Sequence, residues 1–128
     1  MTEKEVSDFE KIQAQLESLH SEISTLTKKS SNDALNKFKL KFVNQTLDEA
    51  NRILGKKYIP FSDFEKFDDN DLPTNSDVTM MLGQYLNCME KFRSDNIYKE
   101  NYGLTWYWKI NGKESSIKTS PPKKLNNK

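Results

Sequence analysis

Cys88 and His20 are the only thiol and the only imidazole in this chain of 128 residues. Zinc sites draw mostly on several Cys and His ligands, and one of each, 68 positions apart, does not make such a site. A catalytic Cys88 with His20 as its base needs a lowered thiol pKa, and no neighbour in sequence supplies one. Cys88 falls on the apolar spacing of a helix, where a free cysteine serves as a small buried hydrophobe. The four glycines stand alone at 55, 83, 103 and 112, so no glycine-rich phosphate cradle exists. Nineteen acids produce neighbouring carboxylate pairs by chance and mark no acid–base site. The expectation is a protein without catalytic residues, cofactor or metal.

The run Asp68-Asp69-Asn70-Asp71 invites a calcium reading. Starting an EF-hand loop at Asp68 puts Pro73 at the glycine position and Thr79 at the bidentate Glu position; starting at Asp69 puts Thr74 and Met80 there. Both registers fail. Asp68, Asp69 and Asp71 read instead as an electrostatic docking loop.

Trp106, Tyr107 and Trp108 lie close to Lys109, Lys113 and Lys118, with Lys123 and Lys124 beyond. Aromatic platforms ringed by lysine stack single-stranded bases. In a strand, however, Trp106 and Trp108 point away from Tyr107. A hairpin also needs an apolar face to stay folded, and that face claims the tryptophans as core. Thr105, Tyr107 and Lys109 are the more exposed row, suited to an interface patch.

Composition narrows the class. Apolar residues make up 34% and the net charge is +1, yet 14 aromatic residues argue for a folded core over disorder. A dedicated nucleic-acid binder carries a clear basic excess, which is lacking here. Charge is segregated all the same. Glu3 to Glu22 holds six acids and two lysines, Lys28 to Lys57 eight bases and three acids, and Asp63 to Asp77 six acids against Lys66. Lys109 to Lys128 holds six lysines and Glu114. Such a mosaic suits protein–protein docking or self-association. One cysteine excludes an internal disulfide and fits a reducing compartment. With no signal-like apolar stretch and no run approaching a membrane span, the expected location is the cytoplasm.

The elements that must position these groups begin with a heptad. Phe9, Ile12, Leu16, Leu19, Ile23 and Leu26 follow at spacings of 3, 4, 3, 4 and 3 on a helix over about 4–28. This stripe is expected to form an interface with a second copy, giving a homo-oligomer. The alternative is that it packs back on its own chain. Its flanking positions offer no complementary charge pairs to fix a partner.

Ser30 to Asp33 breaks the chain with several candidate N-caps, and a second helix should run to about Leu54, where Gly55 ends it. Leu35, Phe38, Leu40, Phe42, Val43, Leu47, Ala50, Ile53 and Leu54 cover roughly 200° of its circumference, which calls for more than one neighbour. In the connection 58–73, Phe61, Phe64 and Phe67 are spaced to plug the bundle. Thr74 and Asp77 form a capping-box signature for a third helix reaching about Ser94, with Gly83 placed for a close contact. Period-2 alternation then marks Leu104 to Ile110, Asn111-Gly112 marks a type I′ turn, and Ser115 to Thr119 returns. Pro121-Pro122 closes the strand.

The fold class is α+β: a heptad, coiled-coil-like helix over 1–29, a small domain over 30–120 built of two amphipathic core helices and a C-terminal antiparallel β-hairpin, and a flexible basic tail over 121–128. The expected function is that of a small non-enzymatic interaction or adaptor protein, self-associating through the first helix and docking a protein partner. The alternative is a nucleic-acid-associated accessory protein using the basic hairpin and tail. No membrane partner is expected.

Overall fold

The structure, a computed structural model, describes residues 1–123. Three helices precede a small sheet: α1 (Glu3–Ser30), α2 (Lys37–Tyr58), α3 (Asn75–Asp95), β1 (Ile97–Lys99), β2 (Trp106–Trp108) and β3 (Lys118–Thr119). The sheet is an antiparallel meander in the order β1-β2-β3. The fold is therefore α+β, with a terminal hairpin widened by one strand.

Local sequence sets the helix starts. Thr2 accepts from the Glu5 N–H while the Glu5 carboxylate accepts from the Thr2 N–H, a closed capping box. Thr74 caps α3 by accepting from the Asp77 N–H at 3.1 Å, as its signature predicts. The cap of α2 is Asn36, not a residue of Ser30 to Asp33. That earlier stretch is drawn into backbone pairing with the start of α3: the Leu35 N–H donates to Pro73 C=O, and the Asn75 N–H to Asp33 C=O. Leu35 is buried ahead of the helix and is not part of its face. Gly55 takes φ +64°, as expected of a helix-breaking glycine, and helical structure resumes beyond it as far as Tyr58.

One core joins all the elements. α1 lies chiefly against α3, and Phe9, Leu16 and Ile23 are fully buried with Val43, Leu47, Leu82, Tyr85 and Trp108. Phe9 stacks on Phe92 with ring centroids 5.7 Å apart and meets the Trp108 indole edge-on at 5.1 Å. Residues 1–29 are therefore part of the same core as residues 30–120. α1 crosses α3 at Gly83, where an added Cβ would meet His20 Nε2 at 3.7 Å, an ordinary contact.

The connection 58–73 lacks a helix among the described residues. Phe64 and Phe67 pack on the core, but Phe61 is exposed, so only two of the three expected plugs serve. Asn44 of α2 holds the connection: its Nδ2 donates to Phe67 C=O and its Oδ1 accepts from the Phe67 N–H, both at 2.9 Å. Asn51 Nδ2 donates to Glu65 C=O, and the Tyr85 hydroxyl donates to Asn51 Oδ1 at 2.5 Å. Burial pushes the Tyr85 phenol up to about 12, so it remains a donor.

The sheet departs from expectation in register. Leu104 is exposed in the β1–β2 connection instead of opening a strand. Asn111 (φ +53°) and Gly112 (φ +75°) form the tip, closed by paired bonds between Ile110 and Lys113. Two residues separate Tyr107 from Ile110, and four separate their respective partners, Lys118 and Lys113. The return strand therefore bulges, and the Ser115 hydroxyl and backbone fill the gap by bonding Trp108 C=O and the Tyr98 hydroxyl.

Two stability outcomes follow from these backbones. Gly112→Val should cost about 1 kcal/mol or more, because valine resists positive φ, while Lys113→Ala should be nearly silent. Equal effects in urea titrations would contradict the turn. Gly83→Ala should add about 0.5–1 kcal/mol, since alanine raises helix propensity and His20 leaves room for a Cβ. A lowered urea midpoint would show that the α1–α3 crossing is tighter than 3.7 Å allows.

Candidate interaction surface

The heptad residues come together, but inside the chain. Phe9, Ile12, Leu16 and Ile23 are buried, and Leu19 and Leu26 are half-buried against the same core. The stripe expected to meet a second copy is covered by α3 and α2 of its own chain. The reason is supply: α3 and the sheet offer an apolar counterface, and an intramolecular partner costs no association entropy. Glu22 and Lys39 fasten the far side with an ion pair of 2.7 Å between α1 and α2, which holds the Glu22 carboxyl below its ordinary range.

α2 carries what the core does not cover. Phe38 is 72% exposed and Phe42 41%, although both belong to the arc that was expected to be buried. Their rings meet edge-to-face at 5.0 Å, one turn apart on the helix surface. Leu40, Val43, Leu47 and Ala50 satisfy the two neighbouring helices, and nothing among the described residues reaches around to the remaining side. Gln45, Asp48 and Arg52 extend this side as an exposed ridge, with Glu49 half-buried and ion-paired to Arg52.

A groove runs along each flank of the ridge. Between α1 and α2, Asp8, Lys11 and Gln15 face Phe42 and Glu49 across about 450 Å³. Between α2 and the connection, Lys37, Lys41 and Asp48 face Lys66, Asp68 and Asp69 across about 820 Å³. The first two residues of the acidic run thus form one wall of a groove whose other wall begins with two lysines. Asp69 Oδ1 also accepts from Asn44 Nδ2 at 3.3 Å, and Asp68 Oδ1 accepts from the Asn70 N–H. Asp71 is exposed beyond them.

The other candidate residues lie on the sheet. Tyr98, Tyr107 and Lys118 form one cross-strand row, with the two phenol rings stacked at 5.8 Å. The Tyr107 hydroxyl donates to Glu100, an acid at the edge of this row, and burial followed by the Glu100 charge raises the phenol pKa. Trp108 is fully buried and Trp106 partly so, as the hairpin required. Lys109 is half-buried and Lys113 is exposed at the tip. Lys124 lies outside the described residues.

Pro121 and Lys123 are bonded to α3, and residues 124–128 of the expected tail lie outside the described residues. Arg93, 3% exposed, directs all five of its N–H groups to acceptors: two to Glu90, one each to the Thr119 hydroxyl, Ser120 C=O and Pro121 C=O. The Lys123 N–H donates to Glu90 Oε2. Asn44, Asn51 and Arg93 all look like surface polar residues in the sequence. Only their position opposite unpaired backbone groups identifies them as staples.

Burial raises the Cys88 thiol above its ordinary value, the opposite of activation. Among the described residues, no three His, Cys, Asp or Glu side chains converge as a metal site. Among the described residues, no helix is long and apolar enough to cross a membrane.

The Glu90 anchor sets a pH dependence. Burial alone raises its carboxyl, but bonds from Arg93 and the Lys123 N–H, with both charges, hold it below 4.5. A lowered folded-state pKa gives stability that is complete above the unfolded value and is lost as pH falls through the folded one. Glu90→Gln should cost about 2 kcal/mol or more near neutrality. The gap from the unmodified chain should close as pH drops below 4.5. Urea midpoints from pH 3 to 7 check this; a gap that stays constant in acid would remove Glu90 from the account. No protein-family model matches the chain, and no curated protein or solved structure matches it either.

Proposed function

We propose that this chain is a small, non-enzymatic protein–protein interaction module whose contact surface is the outer ridge of α2. The observation that carries this reading is the Phe38–Phe42 pair, two aromatic rings exposed in contact with each other on one face of a helix, whereas Phe61, Leu72, Tyr102 and Leu104 are exposed in connections. Aromatic side chains are enriched at the centres of interfaces, and a rigid helix presents them at little entropic cost. The charged residues along the flanking grooves supply a polar rim. The acidic residues Asp68 and Asp69 belong to that rim and steer a partner's approach. An adaptor acting in the cytoplasm, with its one thiol reduced, accords with this surface.

A second reading rests on the row of Tyr98, Tyr107 and Lys118, which resembles a stacking surface for single-stranded nucleic acid. The adjoining Glu100 opposes phosphate and makes this the weaker reading.

Photo-crosslinking separates the two. With a photoreactive side chain replacing Phe38, cells expressing the full chain should yield one stoichiometric protein adduct, and a probe at position 113 only background. Phe38→Ser should change stability by less than about 1 kcal/mol, because the ring is mostly in water. An adduct with nucleic acid at position 107, and none with protein at 38, would favour the sheet. Position 38 no higher than position 113 would defeat the α2 reading.

A further inference from the structure

We infer that the partner seated on the α2 ridge is a second copy of this chain, with α2 packed antiparallel against α2 about a two-fold axis at Gln45. The inference rests on the interaction reading above and supplies its partner. Its basis is the spacing of charge along one helix. Phe38, Gln45 and Arg52 stand seven residues apart, two turns, and so share one line down the ridge; Lys41 and Asp48 share a second line beside it.

In an antiparallel pair related by a two-fold axis, residues on the same side of both helices meet in reverse order. Setting Gln45 at the axis brings Lys41 of each copy within one residue's rise, about 1.5 Å, of the level of Asp48 on the same side of the other, twice over. It brings Phe38 under Arg52 of the second copy, a cation–π geometry, also twice. The two Gln45 side chains meet at the axis itself, and each amide carries the donor and acceptor the other needs. A parallel arrangement would oppose Lys41 to Lys41 and Asp48 to Asp48. The ridge thus complements its own reverse to within one residue's rise.

Shape agrees with charge. A ridge flanked by two grooves is the form in which helices interlock, the ridge of one entering the groove of the other. Phe42 already lines the groove against α1 and extends apolar contact off the axis. Lys41 and Asp48 are both exposed and only loosely engaged: Lys41 Nζ lies 5.8 Å from the Phe42 ring centroid, and Asp48 has a distant pairing with Lys66 at 4.0 Å. Within one chain they stand about 10 Å apart along the helix and do not bond each other. A single helix pair lies near the lower end of specific interfaces, so the dimer is one of moderate affinity.

Sedimentation equilibrium of the purified full chain, from about 10 to about 300 µM, tests the arrangement. The unmodified chain should move from 15.0 kDa toward twice that mass. Lys41→Glu and Asp48→Lys, each alone, place like charges at both symmetric contacts and should weaken association by roughly tenfold or more. An equimolar mixture of the two variants should associate again, because each mixed pair restores both contacts, and the chain carrying both changes should recover in the same way. Circular dichroism confirms that these exposed changes leave the fold intact. A strict 15.0 kDa mass throughout overturns the second copy, and with a heterologous protein adduct at position 38 it leaves the interaction reading standing. Association that survives both single changes, or single variants that fail to complement, overturns the antiparallel α2 pairing. Absence of any protein adduct at position 38 defeats both.

Discussion

A guanidinium buried behind the sheet has to be satisfied completely or the end of this fold comes apart. Taking an arginine and a glutamate out of water costs several kcal/mol per ion, and their attraction offsets that only when every remaining donor is used. Arg93 meets the condition by turning three of its N–H groups on the last residue of β3 and the two that follow it. Glu90 meets it by also accepting from the Lys123 N–H. The pair is thus less a bond between two residues of α3 than a socket for residues 119–123. The sheet depends on that socket. β3 is two residues long and could not hold its register by ladder bonds alone. Held there, it covers β2, and β2 delivers Trp108 to the centre of the core.

Trp108 shows how strongly this arrangement is driven. Its indole N–H is buried without a partner among the described residues, a cost of about 1–3 kcal/mol. Burial of so large a ring, with its edge against Phe9, outweighs that cost. α1 is captured by the same ring and by Phe92. Its apolar stripe is therefore consumed inside the molecule, and the surplus appears on α2, whose arc is wider than its neighbours cover. The location of the exposed surface is a consequence of how the core is shared out.

What was legible in the sequence is what depends on near neighbours. Asn111-Gly112 specifies its own turn, Thr74 with Asp77 specifies its own cap, and the positive φ of Gly55 follows from the missing Cβ. The heptad spacing located α1 and its buried side, but spacing does not say whose apolar face will cover it. β1 was missed because three residues directly after α3 contain no alternation long enough to read, and they are a strand only by pairing with β2. Asn36 caps α2 in place of Ser30–Asp33 because that stretch is engaged by Asn75 and Ser76, partners more than forty residues on. For the surface itself, the breadth of the α2 arc was readable; the identity of the part left over was not. Phe38 and Phe42 have the composition of core and the position of rim.

The hairpin tip also reaches the beginning of the chain: the Asn111 N–H donates to Met1 C=O at 2.7 Å. This closes a contact across nearly the whole sequence, and Phe9 likewise waits for Phe92 and Trp108. Synthesis on the ribosome runs in the opposite sense. α1 emerges before the residues that cover it, and Phe92 and Trp108, which close over Phe9, follow it by more than eighty residues. With contacts this distant in sequence, closure comes late in folding. Until then the heptad stripe lies bare on a nascent helix, and it has the pattern that another such helix, or a chaperone groove, recognises. In the finished fold the same stripe is spent on the core it shares with α3 and Trp108.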